Sequence, residues 1–320
     1  MLDREALRLP AAGSDDPRRT AGMFALRAVP LDEDRFCDLV IAGSREAIVY
    51  RGAADGRSLK RTVALPADNC HGVQAADLNG DGRPEIVLAN EGSAAGPSNS
   101  TIYWADRQGY DDKRRTDLPT LGAKTGQAAD LNDDGYTDIL FVNAHDDARR
   151  DVPSSIYWDG PRGYAAYRRS QLTGFVVLGS GVADLNRDGR PDILLVSGLS
   201  GRDGTLPTVV FWGNQEHHYS SASSTAMDVS AQMEFSVADL DDDGYPDIVC
   251  LPGEPPTGDG ASAVVLWESA KGHSLKRRTS LPVDRPMCSS IADLNRNGHL
   301  DIAMTNYRSD TNRKVPTFIY

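Results

Sequence analysis

Residues 76–85 read ADLNGDGRPE, and the phrase returns as ADLNDDGYTD at 129–138, ADLNRDGRPD at 183–192, ADLDDDGYPD at 238–247 and ADLNRNGHLD at 292–301. In each copy, oxygen-bearing side chains fall at loop positions 1, 3, 5 and 9, counted from the first Asp, with Gly at position 6. A short backbone that must wrap a hard cation needs this spacing. Alternate residues turn their oxygens to one side, and the glycine permits a turn closed to residues with a Cβ. The first aspartates, Asp77, Asp130, Asp184, Asp239 and Asp293, are separated by 53, 54, 55 and 54 residues. A period of that length belongs to a repeating structural unit.

Each loop is therefore read as a calcium site, with about five ions in all. The donor sets are Asp77, Asn79, Asp81, Arg83 and Glu85; Asp130, Asn132, Asp134, Tyr136 and Asp138; Asp184, Asn186, Asp188, Arg190 and Asp192; Asp239, Asp241, Asp243, Tyr245 and Asp247; and Asp293, Asn295, Asn297, His299 and Asp301. The seventh residue of each loop is expected to offer its backbone carbonyl. Affinity follows ligand charge and rigidity, so the loop at 239, with four carboxylates, is expected to bind most tightly and that at 293, with two, least tightly. Glu85 is one methylene longer than its counterparts and is expected to shift its ion. A sixth copy, VPLDEDRFCDLVIAG at 29–43, keeps Asp32, Asp34 and Asp38 at positions 3, 5 and 9 but has Pro30 for the first Asp and Arg35 for the glycine. A strand hairpin with weak or no metal is expected there.

Charge agrees with this assignment. Of the 46 acidic residues, fifteen stand at the donor positions of the five good loops, and the remaining 31 are matched by 34 Lys and Arg. Five calcium ions would bring ten positive charges against a formal net charge of −12. So acidic a chain, with no basic stripe, argues against nucleic acid. No run approaches the roughly 18 apolar residues that a membrane-spanning helix needs, so no membrane insertion is expected.

After each loop comes a β-branched and aliphatic run: IVLAN from 86, ILFVN from 139, ILLVS from 193, IVCLP from 248 and IAMTN from 302. A Gly-, Ser- and Pro-rich stretch follows, then an aromatic run: TIYW at 101–104, SIYW at 155–158, and runs ending at Trp212 and Trp267. A third element often ends in Leu-Pro, and Pro66, Pro119 and Pro282 each precede a loop Asp by eleven residues. A small-residue run such as GVQAAD or GVAD leads into the next loop. One repeat is thus four short strands punctuated by turns, with no helix signal. Repeats begin near 28, 76, 129, 183, 238 and 292.

Four-stranded units of about 50 residues repeated radially make a β-propeller. These residues resemble the FG-GAP and VCBS-type calcium-binding repeats of integrin α-subunit propellers and of many bacterial secreted or surface proteins. The resemblance covers essentially the whole chain, rests on the DLNGDGxPDI loops and IYW strands, and implies an all-β propeller of four-stranded blades in a single domain, 1–320. Six blades are expected, with residues 4–10, REALRLP, supplying the outermost strand of the last one and so closing the ring. The competing expectation is a fragment of a seven-bladed ring or of a longer protein.

The remaining residues carry less. Cys37, Cys70, Cys250 and Cys288 are too scattered for a disulfide framework or a zinc site; buried free thiols are expected, with a bridge between Cys250 and Cys288 as the alternative. His71, His145, His217, His218, His273 and His299 show no metalloprotease spacing and no nucleophile partner, and serine elbows and phosphate loops are absent from the sequence. No catalytic residue is assigned. Trp104, Trp158, Trp212 and Trp267 recur at one repeat position, which favours packing between blades over a sugar platform. Asn90, Asn143 and Asn306, at the end of the second strand, are expected to cap the turn that follows.

The variable segments 90–100, 143–154, 197–207, 252–262 and 306–316 gather at the end of the blades opposite the loops, where rigid scaffolds place recognition. His145, Arg149, Tyr307 and Arg308 are the candidate ligand-binding residues there. The expected function is a non-catalytic, calcium-stabilised module that binds glycans or extracellular proteins. The alternatives are a polysaccharide lyase or hydrolase built on the ring, and an architectural segment of a larger surface protein. Loops with so few charges suit millimolar calcium, hence a secreted, periplasmic or cell-surface location, although residues 1–20 do not form a signal peptide.

Overall fold

The computed structural model describes residues 23–32, 36, 38–52, 60–92, 98–145, 151–174, 177–197, 199–200, 204–205, 208–216, 218–227, 235–251, 262–269, 276–283, 286–293, 297–306 and 318–320. These residues form strands and turns, with one 3-10 turn at Ser221–Ser223 and no α-helix among them. The segment 4–10 expected to close a ring lies outside the described residues.

Each repeat forms its own antiparallel sheet, whose strands we letter a to d in chain order. Sheet I comprises Met23–Val29, Asp38–Gly43, Glu46–Arg51 and Lys60–Pro66; sheet II, Cys70–Ala76, Glu85–Asn90, Ser98–Asp106 and Gly109–Thr120; sheet III, Ala123–Ala129, Asp138–Asn143, Ser154–Tyr157 and Arg169–Leu172. Sheet IV comprises Val177–Ala183, Asp192–Ser197, Thr208–Phe211 and Ser224–Met227; sheet V, Phe235–Ala238, Asp247–Cys250, Ser262–Leu266 and Arg278–Pro282; and sheet VI has three strands, Pro286–Ala292, Asp301–Asn306 and Phe318–Ile319. The chain divides into two compact units, one of residues 1–128, 136–149 and 155–170, the other of residues 129–135, 150–154 and 171–320.

The acidic loops are the a–b hairpin connections. Ala76 pairs with Glu85, Ala183 with Asp192, Ala238 with Asp247 and Ala292 with Asp301, so the position-9 carboxylate is the first residue of strand b. Strand b is covered on both faces, with every residue of Glu85–Asn90, Asp138–Asn143 and Asp247–Cys250 buried. This explains why these strands read as continuous apolar runs rather than as alternation. Their side chains fill the cores between successive sheets, as Leu65 and Val49 of sheet I do with Ile86 and Leu88 of sheet II. The small-residue runs of strand a have a steric cause: a Cβ on Gly72 would lie 2.7 Å from the Cα of Thr125 in strand a of sheet III.

The aromatic strand explains the Leu-Pro signal. The hydroxyl of Tyr103 in strand c of sheet II donates to the carbonyl of Pro66, which ends strand d of sheet I, at 2.5 Å. Tyr157 does the same to Pro119, and Tyr320 to Pro282. Where the tyrosine is replaced by Phe211 or Leu266, the matching proline is replaced by Thr173 or Asp228, so tether and anchor change together. Tyr103→Phe should cost about 1 kcal/mol, the net value of one such bond, read as a lower denaturant midpoint with an unchanged slope.

The indoles brace their own sheets. Trp104, Trp158, Trp212 and Trp267 donate through Nε1 to Thr116, Ser170, Thr225 and Thr279 of strand d, at 2.8 to 3.0 Å. Trp104 also packs against Tyr164, ring centroids 6.3 Å apart. Two of the asparagines reach across their sheets. Asn90 and Asn143 are buried, accept the N–H of Asp68 and Leu121 from the turn before strand a, and donate to Asn99 and Ser155 of strand c. They therefore tie strand c and the turn before strand a to the end of strand b. Cys70 and Cys250 are buried free thiols, which leaves the Cys250–Cys288 bridge unformed. Burial pushes the Cys70 thiol up to about 12.

Candidate metal centres

All five loops share one local hydrogen-bond scheme. The position-1 carboxylate accepts the position-6 glycine N–H at 2.8 to 2.9 Å: Gly82 on Asp77, Gly135 on Asp130, Gly189 on Asp184, Gly244 on Asp239 and Gly298 on Asp293. Its other oxygen accepts the position-5 N–H, and the position-5 side chain accepts the N–H of position 7 in the loops of Asp81, Asp188, Asp243 and Asn297. The five glycines have φ of +84 to +88°, as the spacing required. Position 4 also lies in the left-handed region in the four loops where it is described, and only Gly80 is a glycine there; Asp133, Arg187 and Asp242 adopt φ of 57 to 59° despite their side chains. The donor-spacing pattern does not display that second requirement.

The position-9 carboxylate does more than face the loop. Asp192 is buried, with Oδ2 accepting the N–H of Leu185 at 2.9 Å and Oδ1 that of Gly213, just past Trp212, at 2.8 Å. Asp247 holds Leu240 and Glu268 in the same way, and Asp138 holds Asp159. Glu85 takes Leu78 at 2.8 Å but reaches Ala105 only at 3.4 Å, so its extra methylene slackens the second contact. Burial pushes the Glu85 carboxyl up to about 7 and those of Asp192 and Asp247 up to about 6; their backbone donors oppose the rise, and neighbouring loop carboxylates add to it.

This donor set fits a hard divalent cation. In the 239 loop, Asp239, Asp241 and Asp247 bring oxygens within 4.8 Å of one another, about twice a calcium–oxygen distance of ~2.4 Å. Asn79, Asn132 and Asn186 stand where Asp241 does, offering an oxygen without a charge. Asp134, Tyr136, Arg83, Arg190 and His299 lie at their loop positions, while Asn295 is outside the described residues.

The sixth copy carries its own cation. Arg51, at the position of the tryptophans, sets Nη1 3.0 Å from Asp38 Oδ2 and 3.1 Å from Asp32 Oδ2. Asp38 is fully buried and also accepts the N–H groups of Leu31 and Gly52, both at 2.8 Å. A guanidinium thus bridges the position-3 and position-9 carboxylates, which accounts for a loop that keeps its acids without its first Asp and glycine. Arg51→Met should cost about 3 kcal/mol by leaving Asp38 short of its charged partner, seen as a denaturant-midpoint loss of equal size with and without calcium.

At the opposite end of the strands, His145 is tied into an ion cluster. Glu91 Oε1 meets Lys124 Nζ at 2.5 Å and His145 Nε2 at 2.6 Å, while Oε2 meets His71 Nε2 at 2.6 Å and Asn69 Nδ2 at 2.9 Å. Burial alone would raise the Glu91 carboxyl, but the hydrogen bonds from Lys124 and His145 outweigh it and hold the carboxyl below its usual range. The other candidates at this end, Arg149, Tyr307 and Arg308, lie outside the described residues.

Solved structures share the fold at low identity. A chain of the Chaetomium thermophilum Polycomb Repressive Complex 2 is 12% identical with a TM-score of 0.54, covering 96% of this chain and 70% of its own. A candidate 6-phosphogluconolactonase from Bacteroides uniformis is 10% identical with a TM-score of 0.56, covering 92% and 83%. An Agrocybe aegerita lectin, described in recognition of non-reducing terminal N-acetylglucosamine, is 15% identical with a TM-score of 0.51, covering 80% and 65%. No curated protein matches the sequence. The profile of the FG-GAP-like repeat matches residues 31–88, 130–195, 184–250 and 239–304, which are the acidic loops with their flanking strands. The chain therefore belongs to the FG-GAP-like repeat family, as a β-propeller-like protein.

Proposed function

We propose that this protein is a calcium-stabilised, non-catalytic propeller that binds a glycan or a protein outside the cytoplasm. The observation that carries this reading is the converging carboxylates of Asp239, Asp241 and Asp247 in a hydrogen-bond scheme repeated through five loops. Calcium would supply positive charge to these oxygens. The chain's own residues do the rest: the glycine turn and position-5 bonds shape each loop, and the position-9 carboxylate fastens it to the end of strand c. Such coupling of metal to a hairpin makes binding energy into folding energy. The ion would be structural, because its donors come from one loop and five or more oxygens leave little room for a ligand. The likeness to a lectin supports a sugar as one class of ligand.

A glycan array in millimolar calcium, followed by a product assay on each hit, tests the functional half. Calcium-dependent binding without turnover supports the proposal. Turnover would instead make the molecule a carbohydrate-active enzyme, and a silent array would leave a protein ligand or an architectural segment.

A further inference from the structure

Successive acidic loops meet through two fixed positions. Arg187, at position 4 of the 184 loop, sets its guanidinium carbon 4.5 Å from the ring centroid of Tyr245, at position 7 of the 239 loop. The same guanidinium lies against Gly244 at position 6, where a Cβ would meet Nη1 of Arg187 at 3.1 Å. The next pair of loops repeats the register: Asp242, at position 4 of the 239 loop, places Oδ2 3.6 Å from Nδ1 of His299, at position 7 of the 293 loop. Oppositely charged residues stand at these two positions of the 130 and 184 loops as well, Asp133 and Arg190. Where position 4 is glycine, as at Gly80, there is no side chain to reach across. Tyr136, at position 7 of the loop that follows, is 39% exposed, whereas Tyr245 is half-buried.

The two observed contacts differ in strength. His299 and Asp242 are 73% and 70% exposed, and an ion pair so placed contributes little. Arg187 on Tyr245 sets a planar, weakly hydrated cation on a ring face, an attraction that persists at a surface. Both residues also belong to the donor loops. Arg187 lies between Asn186 and Asp188, and the carbonyl of Tyr245 is the expected seventh-position donor of its own loop. Arg187 holds φ of +57°, an angle that costs energy for a residue with a Cβ. When Asn186 and Asp188 turn to a shared cation, the backbone between them is fixed, and with it the stem of Arg187. When the Tyr245 carbonyl does the same, its ring is fixed in turn. Whichever loop fills first has ordered one side of the contact, so the second loop orders at a smaller entropic cost.

We propose that Arg187 and Tyr245 couple calcium binding in the 184 loop to calcium binding in the 239 loop, each event raising the affinity of the other. This coupling rests on the calcium reading above. It cannot exceed what the joining contact contributes, which for a cation on a ring at the surface corresponds to about two- to fivefold in affinity. The positive charge of Arg187 acts separately. It opposes a cation in either loop, so Arg187→Gly should raise both affinities while abolishing the coupling. Tyr245→Leu removes the ring, changes no charge and leaves the backbone carbonyl, so it isolates the contact itself.

The test records glycine ¹⁵N–¹H signals of the full chain during calcium titration, with Gly189 reporting on the 184 loop and Gly244 on the 239 loop. Asp188→Ala weakens the 184 loop, read as a raised calcium midpoint at Gly189, and the midpoint at Gly244 is expected to rise with it by about two- to fivefold. Asp243→Ala should raise the Gly189 midpoint by the same factor, as linkage requires. Both cross-effects should vanish in Tyr245→Leu and in Arg187→Gly. A Gly244 midpoint that Asp188→Ala leaves unchanged or lowers, or a cross-effect that persists in either of those variants, overturns the coupling and leaves both calcium sites in place. Gly189 and Gly244 signals that do not respond to calcium at all overturn the calcium reading together with it.

Discussion

Removing calcium with EDTA should lower the melting temperature by on the order of 10 °C or more relative to millimolar calcium. One site held at a hundred times its dissociation constant adds about 2.7 kcal/mol, and each kcal/mol is worth about 2–4 °C in a chain of this size class. The 239 loop, with four carboxylates, should contribute the largest share. Asp241→Asn gives it the same donor set as its sister loops and should reduce its affinity without disturbing the hairpin, because Asn79 and Asn186 accept the position-5 N–H in the same way. Magnesium should substitute poorly, since it demands a smaller, near-octahedral cage. A melting temperature unchanged between EDTA and calcium would remove the structural role of the metal and with it the argument for location.

The second large effect belongs to the position-9 carboxylate. Asp192→Ala deletes the acceptor for two backbone N–H groups, those of Leu185 and Gly213, at a fully buried site. Leaving each unsatisfied costs about 1–3 kcal/mol, so a loss of about 4 kcal/mol is expected, and Asp192→Asn, which keeps one acceptor oxygen, should lose about half of that. This loss should persist in EDTA. Asp188→Ala, which alters an exposed loop donor, should lose stability chiefly when calcium is present. The two responses, read side by side as denaturant midpoints with and without metal, separate the fastening of the loop from the holding of the ion. If Asp192→Ala instead loses stability only when calcium is present, position 9 acts only as a ligand.

The limits of sequence reading follow distance along the chain. The shape of the acidic loop was legible because its parts lie within nine residues: a carboxylate accepting N–H groups four and five residues later needs a particular spacing and a glycine, and both are visible in DLNGDG. The strands after each loop were legible too, since strand b is covered on both faces and must be apolar throughout. The Leu-Pro signal was visible but its cause was not, because Tyr103 meets Pro66 across 37 residues and between two sheets. The contact of His145 Nε2 with Glu91 was not legible either, because the two lie 54 positions apart and Glu91 carries no periodic signal.

By itself, the sequence determined the repeat, its strands and the acidic hairpin loops between them, because a short hairpin can satisfy those demands alone. Tertiary structure decided the rest. It placed Arg51 between Asp32 and Asp38 as a built-in cation, joined the position-9 carboxylates of Glu85, Asp138, Asp192 and Asp247 to the end of strand c, and tied the Tyr103 hydroxyl to the Pro66 carbonyl of the preceding sheet. Each of these depends on which side chains from distant segments share a buried volume, and packing between sheets settles that only after the local hairpins exist.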